Sequence, residues 1–216
     1  MGYDWYKDLY HVPFGLVSLE TGKLSTRKGN VVLMEELLNE AVSETLNIIN
    51  EKNPLLENKD EVARQVGIGA VIFNDLYNGR IKDVVFSWSR MLSFEGETGP
   101  YVQYTHARAC SILKKAGFSA ENIDFSLVTD ALSVEIAKLI DSFPDKLKEA
   151  AEKHEPSVVS RRLMDIAQAF NKFYHDNPIL TSEDELKSAR LLVTSAVRTV
   201  LALGLSVLGI KAPEKM

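Results

Sequence analysis

The stretch that most limits the fold is Leu191 to Ile210, apolar along most of its length and interrupted by polar residues such as Thr194, Ser195, Arg198 and Thr199. Those interruptions make it a poor membrane span. A helix that is apolar nearly all round must be enclosed by other helices, so this segment reads as the central helix of a bundle. The chain supplies the partners. From Leu33 to about Lys52, apolar residues fall on one side at Leu37, Leu38, Val42, Leu46 and Ile49, and Asn53-Pro54 ends the helix. Asp60 to Tyr77 is the next helix, closed by Asn78-Gly79. Helices also read from Pro100 to about Gly117, Ala131 to Asp141, Asp145 to Lys153, and Ser157 to His175. In the last of these, Val159, Leu163, Ile166, Phe170 and Phe173 recur at helical spacing, and Phe170, Phe173 and Tyr174 read as core. Ser182 with Glu185 predicts a capping box for the final helix, which runs to about Leu208.

The first thirty residues differ. Val12 to Leu19 has the β-branched and aromatic character of a strand or hairpin arm, and Thr21-Gly22 turns it. This looks like the edge of an α/β sheet whose other strands lie outside the chain. Asp83 to Glu95 fits either an extended segment or a docked loop. The 216 residues suffice for one main core with an attached piece of another domain.

A formal charge of −5 argues against loose polyanion binding, so any nucleic-acid contact must come from a local patch. The single cysteine, Cys110, precludes an intrachain disulfide, as a cytoplasmic protein would have it, and reads as a small buried apolar residue. The four histidines, His11, His106, His154 and His175, have no ligand partner at metal spacing, so no metal site is expected. The N-terminus has no secretory leader pattern, and no membrane partner is expected.

Two segments carry chemistry. The first is Lys23-Leu24-Ser25-Thr26-Arg27-Lys28-Gly29-Asn30. Neutralising a triphosphate while its α-phosphate is attacked calls for mobile cations on a hinged loop. Lys23, Arg27 and Lys28 supply the charge, Ser25 a hydroxyl and Gly29 the hinge; the same residues also suit a solvated hairpin tip. The second is Tyr101 to Arg108, with Tyr101, Tyr104 and Arg108 toward one side of a helix and Gln103 and His106 on an adjacent stripe. Aromatic planes, amide edges and a guanidinium together suit an unstacked base. Half-buried tyrosines and an ion-paired Arg108 would fit the same pattern. Arg161-Arg162, Arg190 and Arg198 suit solvated faces, salt bridges or contacts with an RNA backbone.

With these motifs in view, the chain resembles the C-terminal part of a bacterial-type arginyl-tRNA synthetase, a class I enzyme family. The resemblance rests on His11-Val12-Pro13-Phe14-Gly15-Leu16-Val17, on Lys23 through Val32, on Phe94 through Arg108, and on Ala189-Arg190-Leu191 with the ending Gly209 to Pro213. The first segment's loop usually reads Lys-Met-Ser-Lys-Ser in this class. Here Thr26 stands at the second lysine, leaving its charge to Arg27, to Lys28 or to a lysine elsewhere. The resemblance implies a mainly α fold, a helical-bundle anticodon-binding domain preceded by a short β/loop remnant of the class I nucleotide-binding domain. It divides the chain into residues 1–32, the catalytic remnant; 33–92, connecting helices; and 93–216, the anticodon-binding domain. It implies arginine activation by ATP with Mg2+ and transfer to arginine-specific tRNA, with Lys23, Ser25, Arg27 and Lys28 catalytic. Phe94, Thr98, Tyr101, Gln103, Tyr104, His106, Arg108 and Met216 are the implied tRNA-binding residues. The other class I signature, His-Ile-Gly-His, does not occur. The chain is therefore expected to be inactive alone, to hold no tight cofactor, to require an N-terminal catalytic part and to work in the cytoplasm. A second reading is a stand-alone helical module binding RNA or protein without enzymatic activity.

Overall fold

The computed structural model describes residues 1–19, 22–23, 33–119 and 124–216. After a 3-10 turn at Asp4–Asp8, three short strands form a sheet: β1 (Val17–Leu19), β2 (Gly22–Lys23) and β3 (Val84–Phe86), in the order β2-β1-β3. β1 runs antiparallel to β2 and parallel to β3, with Val17 opposite Val84 and Leu19 opposite Phe86. Parallel neighbours need a long crossover. Here the crossover includes a helical hairpin, α1 (Met34–Lys52) and α2 (Lys59–Tyr77). The undecided stretch after Asp83 is β3 followed by one helical turn, α3 (Trp88–Met91), with Phe86 buried edge-on to Trp88. The remaining helices are α4 (Gly99–Ala116), α5 (Ala131–Asp141), α6 (Phe143–Lys153), α7 (Ser157–Asp176) and α8 (Asp184–Val207).

The apolar periodicity places the core. Leu163, Ile166, Phe170 and Phe173 of α7 meet Val197, Leu201 and Leu205 of α8, with Val102, Ala109 and Ile112 of α4 and Phe73 of α2 closing the cluster. The final helix passes length and composition tests for a membrane span, yet its core-facing residues are buried against α4 and α7, as the sequence predicts. On α1 the buried line is Ala41, Thr45 and Ile49, with Leu37, Val42 and Leu46 flanking it. Gly67 of α2 lets the two helices come close at Ala41. A Cβ built on Gly67 would sit 2.6 Å from the Ala41 carbonyl oxygen.

The expected capping box is not formed. α8 begins at Asp184 with Glu183 at its cap and no side-chain cap bond. Arg190, one and a half turns into the helix, takes Ser182 instead. Its guanidinium donates to the Pro178 carbonyl (2.9 Å), Ser182 Oγ (2.7 Å) and Asn177 Oδ1 (3.1 Å), and Ser182 donates to the Pro178 carbonyl. A charged donor with several hydrogen bonds outcompetes one neutral cap. Arg190 is thus partly buried and, among the described residues, has no acidic partner; it fastens the α7–α8 turn.

Because the obstacle at Gly67 is backbone that cannot rotate aside, Gly67→Ala should force α1 and α2 apart. The expected cost is about 1–3 kcal/mol, read as a lowered midpoint in thermal or urea unfolding. An unchanged midpoint would show that the hairpin yields without strain.

Candidate nucleic-acid interface

The local sequence determines how α4 presents its side chains. Thr98 caps the helix: its Oγ1 accepts from the Tyr101 amide (3.2 Å) and donates to the Ser93 carbonyl (2.6 Å). Gly99 and Pro100 occupy the first turn, and Gly117, at φ 59°, ends the helix in the left-handed conformation that favours glycine. The Glu97 carboxylate of the loop before Thr98 lies near the Tyr77 hydroxyl. Burial first, and Glu97 second, push the Tyr77 hydroxyl up to about 12.

The two stripes of α4 have separate fates. Gln103 and His106 are buried and face the chain's final segment. After α8, Gly209 (φ 75°) turns the chain, and Ile210 donates back to the Leu205 carbonyl (2.8 Å). The tail then crosses α4. Gln103 Nε2 donates to the Lys211 carbonyl (2.7 Å) and to the Gln65 carbonyl in α2 (3.1 Å). With two carbonyl acceptors there, the amide nitrogen must point that way. His106 Nδ1 lies 3.0 Å from the Pro213 carbonyl, so this nitrogen carries the proton. The other, Nε2, faces the Cys110 thiol at 3.6 Å. Burial lowers the His106 pKa below its ordinary 6.5, outweighing the Pro213 bond, and burial also raises that of Cys110. Asn53 Nδ2 then holds the Met216 carbonyl (3.2 Å), and Lys215 pairs with Glu57 (3.1 Å).

The second stripe faces outward. Arg108 lies between two rings, its guanidinium carbon 4.8 Å from the Tyr104 centroid and 5.2 Å from the Tyr174 centroid. Asn171 receives an Arg108 Nη1 hydrogen bond and in turn donates to Thr105 Oγ1 (2.8 Å). A planar cation can stack on aromatic faces while keeping its edge donors free, which lysine cannot do. Phe94 meets Tyr104 edge-on at 6.2 Å, and Lys52 Nζ stands 5.8 Å over Phe94. Beside this stack is an open cavity of about 430 Å³ bordered by Asn53, Tyr104, Arg108, Lys115, Tyr174 and Met216, among others. Its lining includes Arg108, Lys115 and Lys215, the last paired with Glu57, and no Asp or Glu side chain, a locally basic site on an acidic chain.

Of the tRNA-binding residues expected from the sequence, Phe94, Tyr104, Arg108 and Met216 are brought together here. Thr98 is occupied as a helix cap, and Tyr101 packs against the main core. Gln103 and His106 face the tail instead of solvent. Tyr174, read as core, is in fact exposed (42%), because its α7 position lies one beyond the buried Phe173 and faces α4's outer edge. Asn171, Lys115 and Lys215 also belong to the site and carried no signal in the sequence beyond their type. Lys23 is in β2. Its side chain, together with Ser25, Arg27 and Lys28, lies outside the described residues.

Comparison with known proteins identifies the family. Residues 102–216 match the family model of the DALR anticodon binding domain, and residues 1–88 that of the class I (R) tRNA synthetase catalytic domain. The chain belongs to the class I arginyl-tRNA synthetase family. It is 56% identical to the arginine–tRNA ligases of Halothermothrix orenii and of Alkaliphilus metalliredigens, across 100% of this chain and 38% of each relative. It thus spans well under half the length of those relatives. The Thermus thermophilus arginyl-tRNA synthetase structure superposes with a TM-score of 0.89 at 38% identity, covering 95% of this chain and 35% of that one. The Plasmodium falciparum enzyme shares the fold, with a TM-score of 0.81 at 24% identity over 95% of this chain and 35% of that one. A stand-alone binding module does not account for the catalytic-domain match over residues 1–88.

The buried histidine gives the tail a pH dependence. Its folded-state pKa is lowered, so the unfolded chain binds a proton that the folded chain refuses. That contribution is complete above the ordinary value of 6.5 and is lost as pH falls from there through the folded value. The melting temperature should therefore drop between about pH 7.5 and 5.5, and His106→Asn should flatten that slope. An identical slope in the variant would mean His106 is not held neutral.

Proposed function

We propose that this chain serves an arginine–tRNA ligase, in which its helical part binds the anticodon arm of arginine-specific tRNA. The supporting observation is the Tyr104–Arg108–Tyr174 stack beside a cavity lined by Arg108 and Lys115 and by no Asp or Glu side chain. Single-stranded RNA loops are read by splaying bases onto aromatic or guanidinium planes and hydrogen-bonding their edges. Tyr104 and Tyr174 offer planes, Arg108 offers a plane and donors, and Lys115 and Lys215 lie where a phosphate backbone would pass. Phe94 and Met216 border the same surface. Gln103 and His106 act from beneath by holding the tail that carries Lys215 and Met216.

In this reading residues 1–32 close the catalytic domain, residues 33–92 are connecting helices and residues 93–216 bind the anticodon. Lys23, Ser25, Arg27 and Lys28 stabilise charge on ATP during arginine activation. Mg2+ would arrive with the ATP phosphates; among the described residues no group of three or more His, Cys, Asp and Glu side chains is placed to hold a metal. The exposed Trp5, Tyr6, Leu9, Phe14 and Leu16 offer an apolar face to the rest of the catalytic part. The setting is the cytoplasm, without a membrane partner.

Tyr104→Ala and Tyr174→Ala should each weaken binding of the cognate anticodon arm by roughly 1–3 kcal/mol, the scale of one lost base stack. Since both rings are substantially exposed, at 39% and 42%, neither change should greatly lower the melting temperature. Titration of a hairpin RNA with cognate or altered anticodon checks this. Loss of fold, or equal weakening for both hairpins, would place base reading elsewhere.

A further inference from the structure

One side chain bonds both the N-terminal arm and the helical bundle. Arg80 lies in the loop between α2 and β3, and its guanidinium joins two otherwise separate backbones. Nη1 donates to the Pro13 carbonyl of the arm (2.7 Å), and Nε donates to the His154 carbonyl at the end of α6 (3.0 Å). Nε also lies 3.9 Å from Glu155, whose carboxylate accepts from the Arg80 backbone amide (3.4 Å). The Arg80 carbonyl accepts in turn from Gly15 of the arm (2.7 Å).

The surroundings are built for that junction. His154 has φ 51°, so the backbone reverses there and presents its carbonyl beyond the last turn of α6. The Tyr10 ring stacks on His154 at 4.3 Å, a second contact between arm and bundle. Gly15 lies against the loop so closely that a Cβ would collide with the Lys82 carbonyl. Immediately after it, Leu16 donates to Asp83 Oδ1 (2.8 Å) and accepts from Val84 (2.9 Å), which begins the β1–β3 pairing.

From this arrangement we propose that Arg80 is a positioning residue. It couples the anticodon-binding bundle to β1 and, through the pairing of Ser18 with Lys23, to β2. The chain of contacts is continuous: α4 is tied to α2 by Gln103, α2 leads into Arg80, and Arg80 fixes the arm. Lysine would reproduce the junction poorly, because its donors share one nitrogen and lack the fixed, separated geometry of the guanidinium Nε and Nη1. The role in catalysis rests on the ligase reading above; the role in holding the arm does not.

The test is amide hydrogen exchange on the full chain with Arg80→Gln, Arg80→Lys and Gly15→Ala, beside anticodon-arm binding and aminoacylation by the full-length ligase. Exchange at Gly15, Leu16 and Val84 should accelerate at least about tenfold in all three variants, the scale of a lost hydrogen bond to a charged group. Amides of α4 and α8 should keep their protection, and anticodon-arm affinity should stay within about twofold. Aminoacylation kcat should fall by about tenfold with KM for tRNA little changed. Unchanged exchange in the arm, or equal acceleration throughout the bundle, would overturn the coupling. If arm exchange rises while kcat is unaffected, the coupling to catalysis is wrong. Should the unsubstituted ligase fail to charge tRNA, the functional reading falls, and exchange alone still decides whether Arg80 holds the arm.

Discussion

The side-chain amide of Gln103 is the interaction on which the candidate site depends. It sits with no solvent exposure where α2, α4 and the C-terminal tail meet, and one nitrogen satisfies a carbonyl from each of the other two. Gly69 makes room for it, since a Cβ there would come within 2.7 Å of that nitrogen. Its oxygen has no partner among the described residues. A buried amide with an unmade bond is costly, on the order of 1–3 kcal/mol. The surrounding core supports that cost, and in return the tail is held in one register. Without the amide, Lys211 would lose its anchor, and Lys215 and Met216 would lose their place beside Arg108.

Given that scaffold, the outward face of α4 can be specialised. Among the described residues, Arg108 is positioned by flanking rings and by Asn171, not by a carboxylate. Its charge is therefore not neutralised by a neighbouring acid, and its remaining donors can address an incoming group. A net charge of −5 with such a local cationic surface favours a shaped site over diffuse attraction to polyanions. Salt should weaken binding, but modestly, because few phosphates are neutralised.

Much of this was legible from residue order. Period and punctuation placed α1, α2, α5 and α7 to within one or two residues, because each pairs an apolar stripe with a clear stop such as Asn53-Pro54 or Asn177-Pro178. The motif from Phe94 to Arg108 contains the exposed Tyr104 ring and the Arg108 guanidinium of the candidate face. What it could not do was sort that motif. Gln103 and Tyr104 are adjacent and both suited to RNA, yet one is buried and the other exposed; the difference depends on the tail, more than a hundred residues later. Tyr174 was hidden for the converse reason, standing beside Phe173 in a stripe that reads as core. The capping signal at Ser182 failed because the competing donor, Arg190, arrives from a later turn. Long-range partners of this kind leave no local pattern.

The central claim is that a splayed base meets the surface formed by Tyr104, Arg108, Tyr174 and the chain's last residues. At 24.1 kDa the chain is small enough for backbone and aromatic NMR assignment. The most direct measurement adds an arginine-specific anticodon stem-loop and records chemical-shift changes and intermolecular NOEs. The structure predicts NOEs from one anticodon base to the Tyr104 and Tyr174 rings. Shift changes should reach Phe94, Lys115, Lys215 and Met216 and leave α5 unaffected. Perturbations confined to α5, or ring NOEs absent at saturating RNA, would contradict this account.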